Sequence, residues 1–205
     1  SEVLPEIREY ERFATTALNA YTGPIVSGYL TSLESEVSAR GYTKPIYIMT
    51  SNGGVASASR AAQLPVSTIL SGPSGGVAAA RALGEVMDVR NLITYDMGGT
   101  STDVCLLDEL EIPVTNDQFI SEFPNRTPQI AISAIGAGGG SLAFVEDGPL
   151  LRVGPESASA VPGPACYGRG GQQATVTDAN LLLGRLNPEA MLGGAVRLYI
   201  DRART

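Results

Sequence analysis

Residues 3, 4, 7, 10, 14, 17, 18 and 21 are apolar or aromatic. That spacing predicts an amphipathic helix from Val3 to Tyr21. Pro24 suits the first turn of a second helix, marked by Val26, Tyr29, Leu30, Leu33 and Val37 and stopped at Gly41. Pro45 to Thr50 reads as a strand running into the loop Ser51-Asn-Gly-Gly54. Ser57 is placed to cap a short helix that ends at Leu64. Val66 to Leu70 reads as a strand, followed by the Gly-rich loop Ser71 to Gly76 and a small-residue helix from Val77 to Val86.

Leu92 to Tyr95 then reads as a buried strand ending in Asp96, and Val104 to Leu107 as its partner across a Gly-Gly turn. Glu111 to Thr115 predicts a third meander strand, and residues 116–128 a polar loop. Gln129 to Ile135 alternates as a strand and enters Gly136-Ala-Gly-Gly-Gly-Ser141. Leu142–Val145 and Leu150–Val153 flank Asp147-Gly148, a hairpin signal. A long Gly/Pro-rich loop covers Gly154 to Gly171. Thr177 or Asp178 is expected to cap a helix through Leu186, and Asp201 to cap a last one. Helix-strand alternation of this kind predicts an α/β fold with a mixed parallel/antiparallel sheet flanked by helices.

Composition narrows the chemistry. The chain of 205 residues has no histidine, which excludes Ser-His-Asp, Cys-His and His-metal sites built from this chain alone. A net charge of −7 argues against nucleic acid as the main partner. No apolar run approaches a membrane span, so no membrane partner is expected. Cys105 and Cys166 lack metal spacing. Cys105 reads as an inward-facing strand residue, and a disulfide is not expected.

The richest chemistry sits at the tip of the central hairpin, Asp96-Met-Gly-Gly-Thr-Ser-Thr-Asp103. Gly98 and Gly99 tolerate positive φ, so their N–H groups can converge on an anion. Thr100, Ser101 and Thr102 add donors. Asp96 and Asp103 would repel a bare phosphate, so a divalent cation is required beside it. Donors around a terminal phosphate, with a carboxylate that holds Mg²⁺ or orients water, are what phosphoryl transfer needs. Asp96 is the candidate metal ligand and catalytic carboxylate, or else a cap of the hairpin turn. Gly98, Gly99, Thr100 and Ser101 hold phosphate oxygens or only form a tight turn. Asp103 is catalytic or braces the loop through backbone N–H groups. The Gly136–Ser141 loop, with Gly138 and Gly139, contacts a cofactor or simply turns a strand. Cys166 reads as a structural thiol rather than a nucleophile, Arg169 as an anion clamp or a solvated side chain, and Asn52 as a cleft residue or a turn residue.

The residues also resemble a known family. Asp96-Met-Gly-Gly-Thr-Ser-Thr-Asp103 resembles the second phosphate-binding element of the actin-like ATPases. More specifically, the chain resembles the hydantoinase A / 5-oxoprolinase family. The matching stretches are Ser51–Val55, Ser71–Val77, Gly136–Ser141, Val153–Ser157, Pro162–Gly171 and Thr177–Asn180, in order. The resemblance implies an actin-like ATPase fold with a ribonuclease H-like core. It implies ATP and Mg²⁺ as cofactors and hydrolysis of a small cyclic amide such as a hydantoin or 5-oxoproline. It further implies a second large subunit or domain of hydantoinase B type and a cytoplasmic location. Relatives in ATP-dependent ketone carboxylases supply the alternative activity, and a non-catalytic fragment acting through partner binding is another. Full-length members carry a first phosphate loop and an adenosine loop that this stretch lacks. Residues 1–205 are therefore expected to be one partial, central domain. Where members often carry an Asp and a His before the Gly-rich loop, this chain has Ala131 and Ser133, so no role is carried over to those places.

Overall fold

The computed structural model describes residues 2–145, 148–189 and 191–204. They form two compact units, Ser1–Thr94 with Cys105–Ile132, and Tyr95–Val104 with Ser133–Thr205.

The first unit opens with α1, one continuous helix over Glu9–Ala39, where the sequence pattern predicts two. Pro24 lies inside it. A proline there removes one backbone donor and crowds the preceding residue. That preceding residue is Gly23, which has no Cβ to clash, so the helix passes through. Thr15 is fully buried on this helix, and its hydroxyl donates to the Pro124 carbonyl and accepts from the Arg126 N–H. The helix ends at Gly41, whose φ of +89° few other residues adopt.

Next, β1 (Tyr47–Met49) pairs antiparallel with β2 (Val55–Ser57). Ser57 caps α2 (Ala58–Gln63) by accepting the Arg60 N–H, as its position predicts. The strand expected over Val66–Leu70 is instead a 3-10 turn, Pro65–Thr68. The Ser67 and Thr68 hydroxyls donate back to the Leu64 and Pro65 carbonyls, and these local bonds compete with extended structure. The expected loop at Ser71–Gly76 is the start of α3 (Ser71–Met87). Pro73 is tolerated there because the first N–H groups of a helix have no partner within it. Gly84 on α3 is buried against the side chains of Leu110 and Leu92. The core of this unit joins Val77, Cys105, Leu107 and Ile130, with Leu92, Ile112 and Ile132 packed against it.

The hairpin β3 (Leu92–Met97) and β4 (Thr102–Leu107) forms where expected. β3 is not buried, however. Ile93 and Tyr95 are 71% and 66% exposed, because β3 is the edge of a three-stranded sheet, with β4 at its centre and β9 (Ser133–Ile135) beyond, and one face is uncovered. The expected third meander strand shrinks to β5 (Val114–Thr115). It pairs with β8 (Gln129–Ile130) rather than with β4. The expected loop 116–128 contains a hairpin, β6 (Gln118–Ile120) with β7 (Phe123–Asn125). Its turn includes Ser121 at φ +55°, a conformation that the sequence does not announce with glycine.

In the second unit, β9 (Ser133–Ile135) pairs antiparallel with β4 through Thr102↔Ile135 and Asp103↔Ala134. β10 (Ser141–Val145) pairs antiparallel with β11 (Leu151–Ser157). Asp147 of the expected turn lies outside the described residues. The helix expected from Thr177 or Asp178 is α4 (Val176–Leu182), capped instead by Thr175. Asp201 is likewise not a cap: α5 (Ile200–Ala203) starts after Tyr199 and holds Asp201 in its first turn. Cys166, Leu181 and Leu198 form the core here.

The fold is thus α/β, but its sheets are small and the strand pairs with assigned register are antiparallel. The parallel component expected from helix-strand alternation is not seen among the described residues. Several neighbouring strands are joined by short turns, which cannot carry the crossover that a parallel pair needs.

Gly84→Ala tests the α3 packing. An added Cβ would lie 2.5 Å from Leu110 Cδ2 and 2.7 Å from the Val89 carbonyl oxygen. Urea denaturation is expected to show a loss of about 1–3 kcal/mol, although alanine is the better helix former.

Candidate functional site

The hairpin tip belongs to the second unit, and β3 delivers Asp96 to it. The turn closes through the Gly98 N–H, which donates to the Ser101 carbonyl at 2.9 Å. Asp96, Gly98, Gly99 and Thr100 are exposed and Ser101 is half-buried. Among the described residues no hydrogen-bond partner meets the Asp96 carboxylate, so it does not cap the turn. Asp103 follows on β4, half-buried and also without a side-chain hydrogen bond there. Burial first, and then the negative charge of Asp96, push the Asp103 carboxyl above its ordinary value of 3.8. The Asp103 carboxyl therefore feels Asp96, and among the described residues no ion pair meets either side chain.

Neither Gly98 nor Gly99 adopts positive φ. The turn has a different need for glycine, imposed by the Gly136–Ser141 loop. That loop packs directly on it: a Cβ at Gly138 would lie 2.7 Å from the Gly99 carbonyl carbon and 2.7 Å from the Thr100 nitrogen. The Gly139 N–H donates to the Gly98 carbonyl at 2.9 Å, and the Gly140 N–H to the Gly99 carbonyl at 2.6 Å. In a trans peptide unit the N–H points opposite to the C=O. Drawing the Gly98 and Gly99 carbonyls toward the loop therefore turns the Gly99 and Thr100 N–H groups away from it. Two successive donors, the Gly99 and Thr100 N–H groups, thus face away from the loop.

The Gly-rich loop is itself fixed. The Gly138 N–H donates to Ser141 Oγ at 2.8 Å, and Ser141 is fully buried. The Thr102 hydroxyl donates to the Ala137 carbonyl. Thr177 donates twice to the Gly139 carbonyl, from its hydroxyl at 2.7 Å and its N–H at 2.8 Å. The structure thus brings Gly138 and Gly139 to the tip, with their N–H groups occupied inside the unit.

Other candidates fall elsewhere. Asn52 accepts from the Thr50 hydroxyl and the Gly54 N–H, which makes it a turn residue. Arg169 is exposed over the Tyr167 ring, 5.9 Å from its centroid. Cys166 is fully buried, and burial, with the Asp178 carboxylate second, pushes its thiol up to about 12. A thiol so protonated is structural. Cys105 is buried too, and burial raises its thiol.

Sequence reasoning missed Thr175 and the role of Asp178. Asp178 is 2% exposed and accepts from the Thr175 hydroxyl and N–H, the Cys166 N–H and the Ala165 N–H. Burial would push its carboxyl up, but the bonds from Thr175 and Cys166 outweigh it and hold the group below its ordinary value. The signal was legible as Thr175-x-x-Asp178 before an apolar run, the pattern of a capping box.

Two substitutions test this geometry. Gly138→Ala is expected to displace the turn and lower stability by about 1–3 kcal/mol, read by denaturation. Asp178→Asn keeps the shape but cannot accept the same four bonds. It is expected to cost about 2–3 kcal/mol at neutral pH. A carboxyl lowered on folding adds stability above its unfolded value that disappears as pH falls through the folded one. Wild type should therefore weaken as acid passes below 3.8, and the Asn variant should lose that part of the acid limb.

Comparison with known proteins gives the family. The family model for hydantoinase/oxoprolinase matches residues 12–205. Caprolactamase subunit alpha of Pseudomonas jessenii is 41% identical over 197 residues, covering 96% of this chain and 28% of that protein. The 5-oxoprolinase of Saccharomyces cerevisiae is 40% identical over 192 residues, covering 92% of this chain and 14% of that protein. The solved nucleotide-free structure of acetone carboxylase, from work on ATP-dependent acetone carboxylation, superposes with a TM-score of 0.83 at 33% identity. It covers 98% of this chain and 28% of that one. The chain spans less than a third of the length of the curated relatives it matches. By its sequence model and its closely matching relatives, the chain belongs to the hydantoinase/oxoprolinase family.

Proposed function

We propose that this chain supplies the terminal-phosphate half of the nucleotide cleft in an ATP-dependent enzyme that hydrolyses a small cyclic amide. The observation that carries the reading is the exposed tip, with outward Gly99 and Thr100 N–H groups and two carboxylates that have no ion-pair partner among the described residues. In this reading those N–H groups and the Thr100 and Ser101 hydroxyls bind phosphate oxygens. Gly138 and Gly139 act from behind, by holding the turn.

The residues fit Mg²⁺. The Asp96 carboxylate has no hydrogen-bond partner among the described residues, and burial, with the Asp96 charge second, raises Asp103. Mg²⁺ is usually held by one or two carboxylates with substrate phosphates and water, so this pair is sufficient. Asp96 would be the ligand, and Asp103 would orient water or add charge. When bound, Mg²⁺ and ATP would supply a phosphoryl group able to activate a stable amide carbonyl. Asp96 and the turn hold and orient the reacting group, and they need not move during the step. A second large subunit of hydantoinase B type would complete the enzyme; the subunit names of relatives support a multi-subunit assembly.

A ketone carboxylase subunit is the second reading, favoured by the 0.83 TM-score to acetone carboxylase. Both use the same phosphate turn. Phosphate release stimulated by lactams or hydantoins, and not by ketones with bicarbonate, separates them.

In the complete enzyme, Asp96→Ala is expected to lower kcat about a hundredfold, roughly 3 kcal/mol of transition-state stabilisation. Melting temperature should barely change, because the carboxylate has no partner among the described residues. Thr100→Val should cost less, since the backbone N–H groups remain. A destabilised Asp96→Ala with full kcat would refute the catalytic role.

A further inference from the structure

Two chains of alternating hydrogen bonds and peptide planes converge on the outward N–H groups. In the first, Thr177 donates to the Gly139 carbonyl. The Gly140 N–H on that same peptide plane donates to the Gly99 carbonyl. The plane of the Gly99 carbonyl carries the Thr100 N–H. In the second, the Ala158 N–H donates to the Gly140 carbonyl, and the Ser141 N–H to the Gly138 carbonyl. The Gly139 N–H donates to the Gly98 carbonyl, whose plane carries the Gly99 N–H.

We propose that Thr177 is a positioning residue that orients and polarises the Thr100 N–H toward the anion through the Gly139–Gly140 and Gly99–Thr100 peptide planes. The inference rests on the phosphate-binding reading of the turn. A trans peptide unit is rigid, so holding its carbonyl fixes its N–H. Each bond also polarises the next, so a donor at the end of such a chain is a stronger one. Thr177 is 7% exposed, with its hydroxyl on the Gly139 carbonyl, so it acts through the backbone. Its two donors fill both lone pairs of the Gly139 carbonyl, which prevents that plane from turning over. The Gly99 N–H is fed by the other chain and does not depend on the Thr177 hydroxyl.

Thr177→Val removes the hydroxyl and keeps the shape and the N–H bond, whereas Thr177→Ser keeps the hydroxyl. In the ¹⁵N-labelled 205-residue chain, Thr177→Val is expected to speed Gly140 amide exchange about fivefold. It should also shift the Thr100 amide proton upfield, leave the Gly99 amide in place, and weaken Mg·ATP binding by a similar factor. Thr177→Ser should restore all of these. Unchanged Gly140 exchange and Thr100 shift in the Val variant, or no recovery with Ser, overturns the proposal. Should the Val variant fail to fold, wild type alone decides. A through-hydrogen-bond coupling between the Gly140 nitrogen and the Gly99 carbonyl carbon is expected, and its absence overturns the relay. If the relay effects appear but Mg·ATP perturbs neither Gly99 nor Thr100, the relay stands and the phosphate reading fails.

Discussion

Two hydrogen bonds, from Gly139 and Gly140 to the carbonyls of Gly98 and Gly99, govern the functional surface of this chain. A free Gly-Gly turn samples many peptide orientations, and most of them would present carbonyls to an incoming anion. Tying both carbonyls to the neighbouring loop removes that freedom before any ligand arrives, so binding need not supply the ordering cost. The close approach is possible only because Gly138 and Gly140 are glycines. A Cβ at either would run into the turn backbone, at 2.7 Å and 2.9 Å.

The two aspartates of this unit with shifted titration show how environment divides roles. Asp178 is almost fully buried and accepts four hydrogen bonds, so its charge is satisfied and its work is structural. Asp103 is less buried, has no such donors among the described residues, and sits in the field of Asp96. An unsatisfied carboxylate costs the fold something and is retained where a counter-charge is expected to arrive. The pair Asp96 and Asp103 fits that description, and the pair Asp178 and Cys166 does not.

Much of this was legible in the sequence. The β3–β4 hairpin follows from two apolar runs around Gly-Gly, the β10–β11 hairpin from two runs flanking Asp147-Gly148, and α2 from Ser57 as a cap. The misreadings share a cause: local signals were outvoted by neighbours. Pro24 marks a helix start by itself, but Gly23 before it removes the clash. The Ser71–Gly76 stretch looks like a loop, yet it is helix because glycines and Ser74 let α3 approach, with Ser74 donating to the Ser51 carbonyl. Glycine also announced the Gly98-Gly99 turn for the wrong reason. Positive φ was expected at Gly98 and Gly99, whereas the demand is for close contact with a loop about forty residues away. No local pattern encodes that contact. Thr177 was invisible for the same reason, since its partner Gly139 lies 38 residues earlier.

The claim that the turn binds terminal phosphate is tested most directly by comparing ATP with AMP in the presence of Mg²⁺ while recording the amide resonances of the tip. The account predicts that ATP shifts the Gly99 and Thr100 amides saturably and that AMP, which lacks the β- and γ-phosphates, leaves them unmoved. Equal effects from both nucleotides, or shifts confined to residues away from the Asp96–Asp103 hairpin tip, would contradict it.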